Sequence, residues 1–170
     1  FAAEPLKSNC VLASGQTACA DWWLGEDVVL SSDSVPGGRN LADPREDDDP
    51  DHYSERYTGT ADNGGIHTNS GIPNHAYYLL VNGGENAGCD TVGSNGHTHT
   101  ADCSVTVTGI GRAKAEDIFF RGYIALPENA TMCQARRATE AQAETEFGVG
   151  STEDLATTAA WDAVGVPTAC

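Results

Sequence analysis

Residues 62–80 read DNGGIHTNSGIPNHAYYLL, and two patterns meet inside them. Up to Gly65 the stretch is made of turn formers, and Gly64 and Gly65 let the backbone bend tightly. From Ile72 onward, Ile72, Ala76, Leu79 and Leu80 recur at helical spacing. Asn69 or Ser70 offers an N-cap, Pro73 sits near the first turn and Gly83 lies past the end, so the pattern predicts an amphipathic helix within 61–81. His67 falls just ahead of that helix, five residues after Asp62. A histidine beside a carboxylate gives a donor whose charge and direction are both set, as a general acid or oxyanion stabiliser requires. The competing reading is a structural histidine that caps the helix or packs in the turn.

Downstream, the same helical period returns three times. One helix is expected over roughly 110–126, with Ala115, Ile118, Phe119, Gly122 and Leu126 on one face. A second is expected over roughly 131–147, ending at Gly148. The last starts at STED, where Ser151 and Asp154 have capping-box spacing, and is expected to turn Leu155, Ala159, Ala160 and Ala163 inward. Four helices with short connections predict a mainly α fold, a helical bundle. Upstream, residues 1–60 are rich in turn formers and read as loops, and the acidic run REDDDPD reads as a solvated loop. Residues 82–108, dominated by Gly, Asn, Thr and Ser, read as an inserted surface loop tied off by Cys89 and Cys103. His97 and His99 in that loop form an i, i+2 pair with no third ligand beside it, a weak metal-binding pattern. The chain is thus expected to be a single domain, 1–170, built from segments 1–60, 61–81, 82–108 and 109–170.

Composition narrows the function classes. Nine Lys and Arg face 25 Asp and Glu, a formal charge of -16, which repels a phosphate backbone and argues against nucleic acid as a partner. No apolar run approaches the ~20 residues that span a bilayer, so no membrane partner is expected. Six cysteines, Cys10, Cys19, Cys89, Cys103, Cys133 and Cys170, have neither CxxC nor zinc-finger spacing. They are expected to form disulfides outside the cytosol, paired in sequence order as 10–19, 89–103 and 133–170, each pair bracketing one loop or terminal segment. A start at Phe1 in place of Met suggests a chain cut from something longer.

Neither G-x-S-x-G nor HExxH occurs, so no complete catalytic apparatus is visible. Asp21, Glu26 and Asp27 in DWWLGEDV could contribute to a calcium site, but these carboxylates cannot supply its six to eight oxygens alone. Arg39 follows two glycines, which permit close approach of a peptide backbone to a guanidinium that can hold a carbonyl; a surface ion pair is the other reading.

Taken together, DWWLGEDV, RNLADP, DPDHYSERYTGTADNGGIHTNSGIPNHAYYLL, GIGRAKAEDIFFRGY and AWDAVGV resemble, in order, the C-terminal half of the thermolysin-like zinc metallopeptidases. The resemblance covers about residues 21–168, interrupted by 82–108, and implies the C-terminal helical domain of that fold. It implies that His67 donates to the oxyanion of the tetrahedral intermediate, that Asp62 orients His67, and that Arg39 holds the substrate backbone. Leu24 and Gly38 match positions lining the pocket for the residue after the scissile bond, with Gly38 where a larger side chain is usual. Asp21 and Glu26 match part of a paired calcium site, with Trp23 in place of a further carboxylate. Cys133 and Cys170 stand where some members carry a C-terminal disulfide.

The family's zinc ligands and catalytic glutamate precede the region corresponding to Phe1, so this chain holds no zinc ligand. The expected cofactors are zinc, bound in that other half, and calcium. The expected partners are the N-terminal zinc-bearing half and a peptide or protein substrate, in a secreted metalloendopeptidase. This chain alone is expected to be inactive. The alternative is a non-catalytic secreted module, derived from such a peptidase, that binds peptide or calcium.

Overall fold

The structure, a computed structural model, describes residues 22–24, 39–86 and 104–170. Helix α2 (Gly71–Asn82) is the helix expected after His67, and it buries Ile72, Ala76, Leu79 and Leu80 as the spacing requires. Ser70 stands at its N-cap position but makes no side-chain cap bond, and Gly83 ends it at φ 77°. Three more helices follow: α3 (Arg112–Ile124), α4 (Met132–Phe147) and α5 (Thr152–Ala163). α2 packs on α3 and α5, and α4 packs on both of those, which closes the bundle around Trp161, Phe119, Ile118 and Ile72. The expected mainly α fold is the one observed. Among the described residues no helix is long and apolar enough to cross a membrane.

The helix ends follow capping chemistry. At the start of α4, Thr131 and Gln134 form a full capping box that the sequence reading overlooked: the Gln134 backbone N–H donates to Thr131 Oγ1 at 3.3 Å, and the Thr131 N–H donates to Gln134 Oε1 at 2.8 Å. At α5, Ser151 Oγ accepts from the Asp154 N–H as the spacing implied. Asp154 itself reaches one residue further back, to the Gly150 N–H at 2.7 Å. Cys133 and Cys170 are joined, as expected, with Cα atoms 5.5 Å apart. The other proposed pairs, Cys10–Cys19 and Cys89–Cys103, lie outside the described residues.

Two expectations need correction. Leu155 is 62% exposed, because α5 turns the face carrying Ala156, Ala160, Trp161 and Ala163 inward. Trp161 has the largest apolar surface on that helix and sets the face; Leu155 falls on the opposite side. The acidic run is solvated only in part, with Glu46 and Asp48 exposed and Asp51 buried. It forms a 3-10 turn, Pro44–Asp47, folded back on the short strand β2 (Arg39–Asn40), with the Asp47 carboxylate accepting from the Asn40 N–H at 2.8 Å. Asp51 is only 1% exposed and pairs with Arg45 Nε at 3.3 Å.

Gly122 marks the closest approach of α3 to α4. A Cβ there would sit 2.9 Å from Thr139 Cγ2 and 3.1 Å from its Cα, a contact with backbone that no rotamer change relieves. Gly122→Ala is expected to lower stability by about 1–2 kcal/mol, the overpacking cost exceeding alanine's helix preference. Urea denaturation of the two proteins measures it.

Candidate active site around His67

The turn before His67 owes its geometry to chirality. Asp62, Asn63, Gly64 and Gly65 have φ of 52°, 48°, 85° and 80° in succession. Bonds from the Gly65 and Ile66 N–H groups to the Ala61 and Asp62 carbonyls close one turn of left-handed helix, α1 (Asp62–Gly65). Such a turn costs roughly 1–2 kcal/mol per ordinary L-residue, and Gly, Asn and Asp are the residues that tolerate it best. The sequence DNGG therefore suits a turn that most sequences resist.

Asn69 braces it. Its Oδ1 accepts from the Tyr57 N–H at 2.7 Å, and its Nδ2 donates to the Tyr57 and Gly64 carbonyls at 2.9 and 3.2 Å. A side chain at Gly65 would strike Tyr57 and Asn69 within 3.0 Å, so this position also needs glycine for space.

The reversed turn swings the Asp62 carboxylate over the residues that follow. Asp62 Oδ2 accepts the His67 N–H at 2.8 Å and the Thr68 N–H at 3.4 Å, while Oδ1 lies 2.5 Å from His67 Nδ1. These bonds, the side-chain one first, hold the Asp62 carboxyl below its usual range. With Nδ1 occupied, Nε2 is the ring nitrogen left for a ligand, on a side chain that is 72% exposed. The pairing expected from the Asp62–His67 spacing is thus present, and the ring is neither capping a helix nor packed in the turn.

Arg39 is wired to the same histidine. Antiparallel pairing of β1 (Trp23–Leu24) with β2 sets Leu24 opposite Arg39. Arg39 Nη1 shares its two hydrogens among Asp49 Oδ2 at 2.8 Å, Ser70 Oγ at 2.7 Å and the His67 carbonyl at 2.5 Å. Ser70 Oγ donates in turn to that carbonyl at 2.6 Å. Among the described residues these bonds use Nη1 alone, which leaves Nη2 and Nε for another acceptor.

β2 is held by its C-terminal neighbour: the Leu41 carbonyl lies 3.1 Å from Nδ1 of the buried His75 on α2. Burial keeps His75 below the usual imidazole range, against the pull of that carbonyl and of Asp51 and Asp43. The contact requires a proton on Nδ1, and burial favours the neutral ring.

Sequence reasoning missed Asp49, Asn69 as a brace, Ser70 as a bridge and His75. Only Asp49 left a signal, as an acid in a charge block ten residues from an isolated arginine. Asp21, Glu26, Gly38, His97 and His99 lie outside the described residues, as does the Leu24 side chain. Among the described residues no three His, Cys, Asp or Glu are placed to hold a metal ion.

Similarity to known proteins puts this helical bundle in a class, the helical domains of thermolysin-like metallopeptidases. The family described as thermolysin metallopeptidase, alpha-helical domain, matches residues 8–166, and the chain belongs to it. Bacillolysin of Bacillus cereus is 40% identical over 147 residues, 86% of this chain and 23% of that protein. Thermolysin of Alicyclobacillus acidocaldarius subsp. acidocaldarius is 42% identical over the same share of this chain and 24% of its own length. Among solved structures, the precursor of protealysin, a metalloproteinase from Serratia proteamaculans, superposes with a TM-score of 0.62 at 27% identity, over 87% of this chain and 42% of that one. The chain thus spans about a quarter of the length of the curated relatives it matches.

Proposed function

We propose that this chain, as one domain over 1–170, is the C-terminal helical part of a secreted zinc metalloendopeptidase and works with a separate zinc-bearing half. The observation that carries the reading is the Asp62–His67 pair at 2.5 Å, with the ring exposed on the side away from its carboxylate. A neutral-state carbonyl needs little from such a donor. When the carbon becomes tetrahedral, its oxygen gains negative charge, and a fixed N–H from Nε2 stabilises that charge without reorganising. Asp62 accepts the proton on Nδ1, so the ring that donates from Nε2 is the one protonated at both nitrogens, and the pair fixes where that outward N–H points. Arg39, held at Nη1, offers Nη2 and Nε to a substrate carbonyl, and its tie to the His67 carbonyl keeps the two donors in register.

Zinc in this family polarises the scissile carbonyl and lowers the pKa of its water; its ligands are assigned to the other half. Leu24 and Gly38 are assigned to the pocket wall, and Asp21 and Glu26 to a partial calcium site. Exposed Ile66 beside His67, together with exposed Tyr57, supports a face that the other half covers.

The test uses the complete protein. Bound zinc near one equivalent, hydrolysis of casein, and an Arg39→Ala variant whose KM for a short peptide rises about tenfold are expected. A folded protein with no zinc and no hydrolysis overturns this reading in favour of a non-catalytic secreted module that binds peptide or calcium.

A further inference from the structure

The Arg39 guanidinium is aimed by one carboxylate. Asp49 sits at the end of the acidic turn, its side chain 15% exposed, with Oδ2 2.8 Å from Arg39 Nη1. Gly71, the first residue of α2, lets that turn seat closely. A Cβ on it would meet the Pro50 carbonyl at 2.6 Å and Asp49 Cβ at 3.1 Å. Asp49 is therefore packed in place by the N-terminal end of α2, and its carboxylate is the anion on which Arg39 rests. The remaining Nη1 partners, Ser70 Oγ and the His67 carbonyl, are neutral and hold a guanidinium less firmly than a carboxylate does.

We propose that Asp49 is a positioning residue for peptide binding, fixing Arg39 so that affinity for substrate follows the charge of Asp49. The inference rests on the reading of Arg39 as the group that holds the substrate backbone. Burial pushes the Asp49 carboxyl up to about 6 against the attraction of Arg39, and Asp47 and Asp48 from its own turn and Asp62 from α1 push the same way. The sign follows. The folded protein favours protonated Asp49, so this group's contribution to stability is fullest in acid and is lost as pH rises through about 6. The form that grips Arg39 is the ionised one, present above that pH. Affinity for peptide therefore weakens as pH falls through the same range.

The experiment compares the complete zinc-loaded peptidase with its Asp49→Asn variant on an uncharged blocked peptide between pH 5 and 8, measuring KM and kcat separately. Calorimetric binding of a non-hydrolysed peptide inhibitor accompanies it. In the unmodified enzyme KM and the inhibitor Kd are expected to rise about three- to tenfold from pH 7.5 to 5. Asp49→Asn is expected to show the raised KM and Kd at every pH, with the kcat of the unmodified enzyme at pH 7.5 changed less than about twofold. A variant whose KM and Kd track the unmodified enzyme across pH overturns the proposal. If the variant does not fold, the unmodified enzyme still decides: a Kd flat between pH 7.5 and 5 overturns it. Absence of hydrolysis in the unmodified protein overturns the peptidase reading and this inference together, whereas hydrolysis with unchanged KM in Asp49→Asn overturns the inference alone.

Discussion

His67→Ala is expected to lower kcat of the complete peptidase by about 100- to 1000-fold while KM changes less than about threefold. The asymmetry follows from geometry. Nδ1 is committed to Asp62, and the other nitrogen projects from an exposed ring, so what the ring offers is a directed donor and little packing surface. A donor of this kind gains most when charge develops on the substrate oxygen, after binding is complete. Steady-state kinetics on a short blocked peptide separates the two constants. A large rise in KM with kcat preserved would mean that the ring binds substrate and does not stabilise charge. The fold should survive the substitution, because the ring makes no packed contact in the core.

Trp161→Ala is expected to cost about 3–5 kcal/mol of stability, the largest loss for one substitution in the bundle. The indole is fully buried and stacks on Phe119 with ring centroids 5.8 Å apart. Its Nε1–H donates to Thr139 Oγ1 at 2.8 Å, so one side chain of α5 ties to both α3 and α4. Truncation leaves a cavity at the meeting of three helices and removes a buried donor. Denaturant titration followed by circular dichroism gives the free energy. Trp161→Phe, which keeps most of the volume and loses the hydrogen bond, is expected to fall between the two proteins. A loss below about 1 kcal/mol for the alanine variant would mean that the bundle collapses onto the vacancy.

The helices were readable because their apolar residues repeat at the period of the structure they form. Ile72, Ala76, Leu79 and Leu80 define α2 by spacing alone, and Ala115, Ile118, Phe119 and Gly122 define the inner face of α3. Leu155 was misread because hydrophobicity names a candidate for burial, while the helix face is chosen by the largest surface to be hidden, here that of Trp161. At the site, Asp62 and His67 were legible as neighbours five residues apart across glycines. Asp49 and Ser70 reach Arg39 from ten and 31 residues away, and such contacts leave no periodic trace. The acidic run misled for a related reason. Its carboxylates are balanced by Arg39, Arg45 and backbone donors that only the fold supplies.

The turn that carries Asp62 has a stereochemical consequence. Over four residues the backbone of an L-protein adopts the opposite hand, and the preference of each residue's mirror image is satisfied there instead. At Gly64 the φ is 85° and a Cβ of the natural hand, although strained by the backbone, would find nothing within 4 Å. A D-amino acid introduced at that position by chemical synthesis would find the turn native to it. Handedness, usually a constant of the whole chain, is here a local choice made by four side chains, two of which are hydrogen atoms.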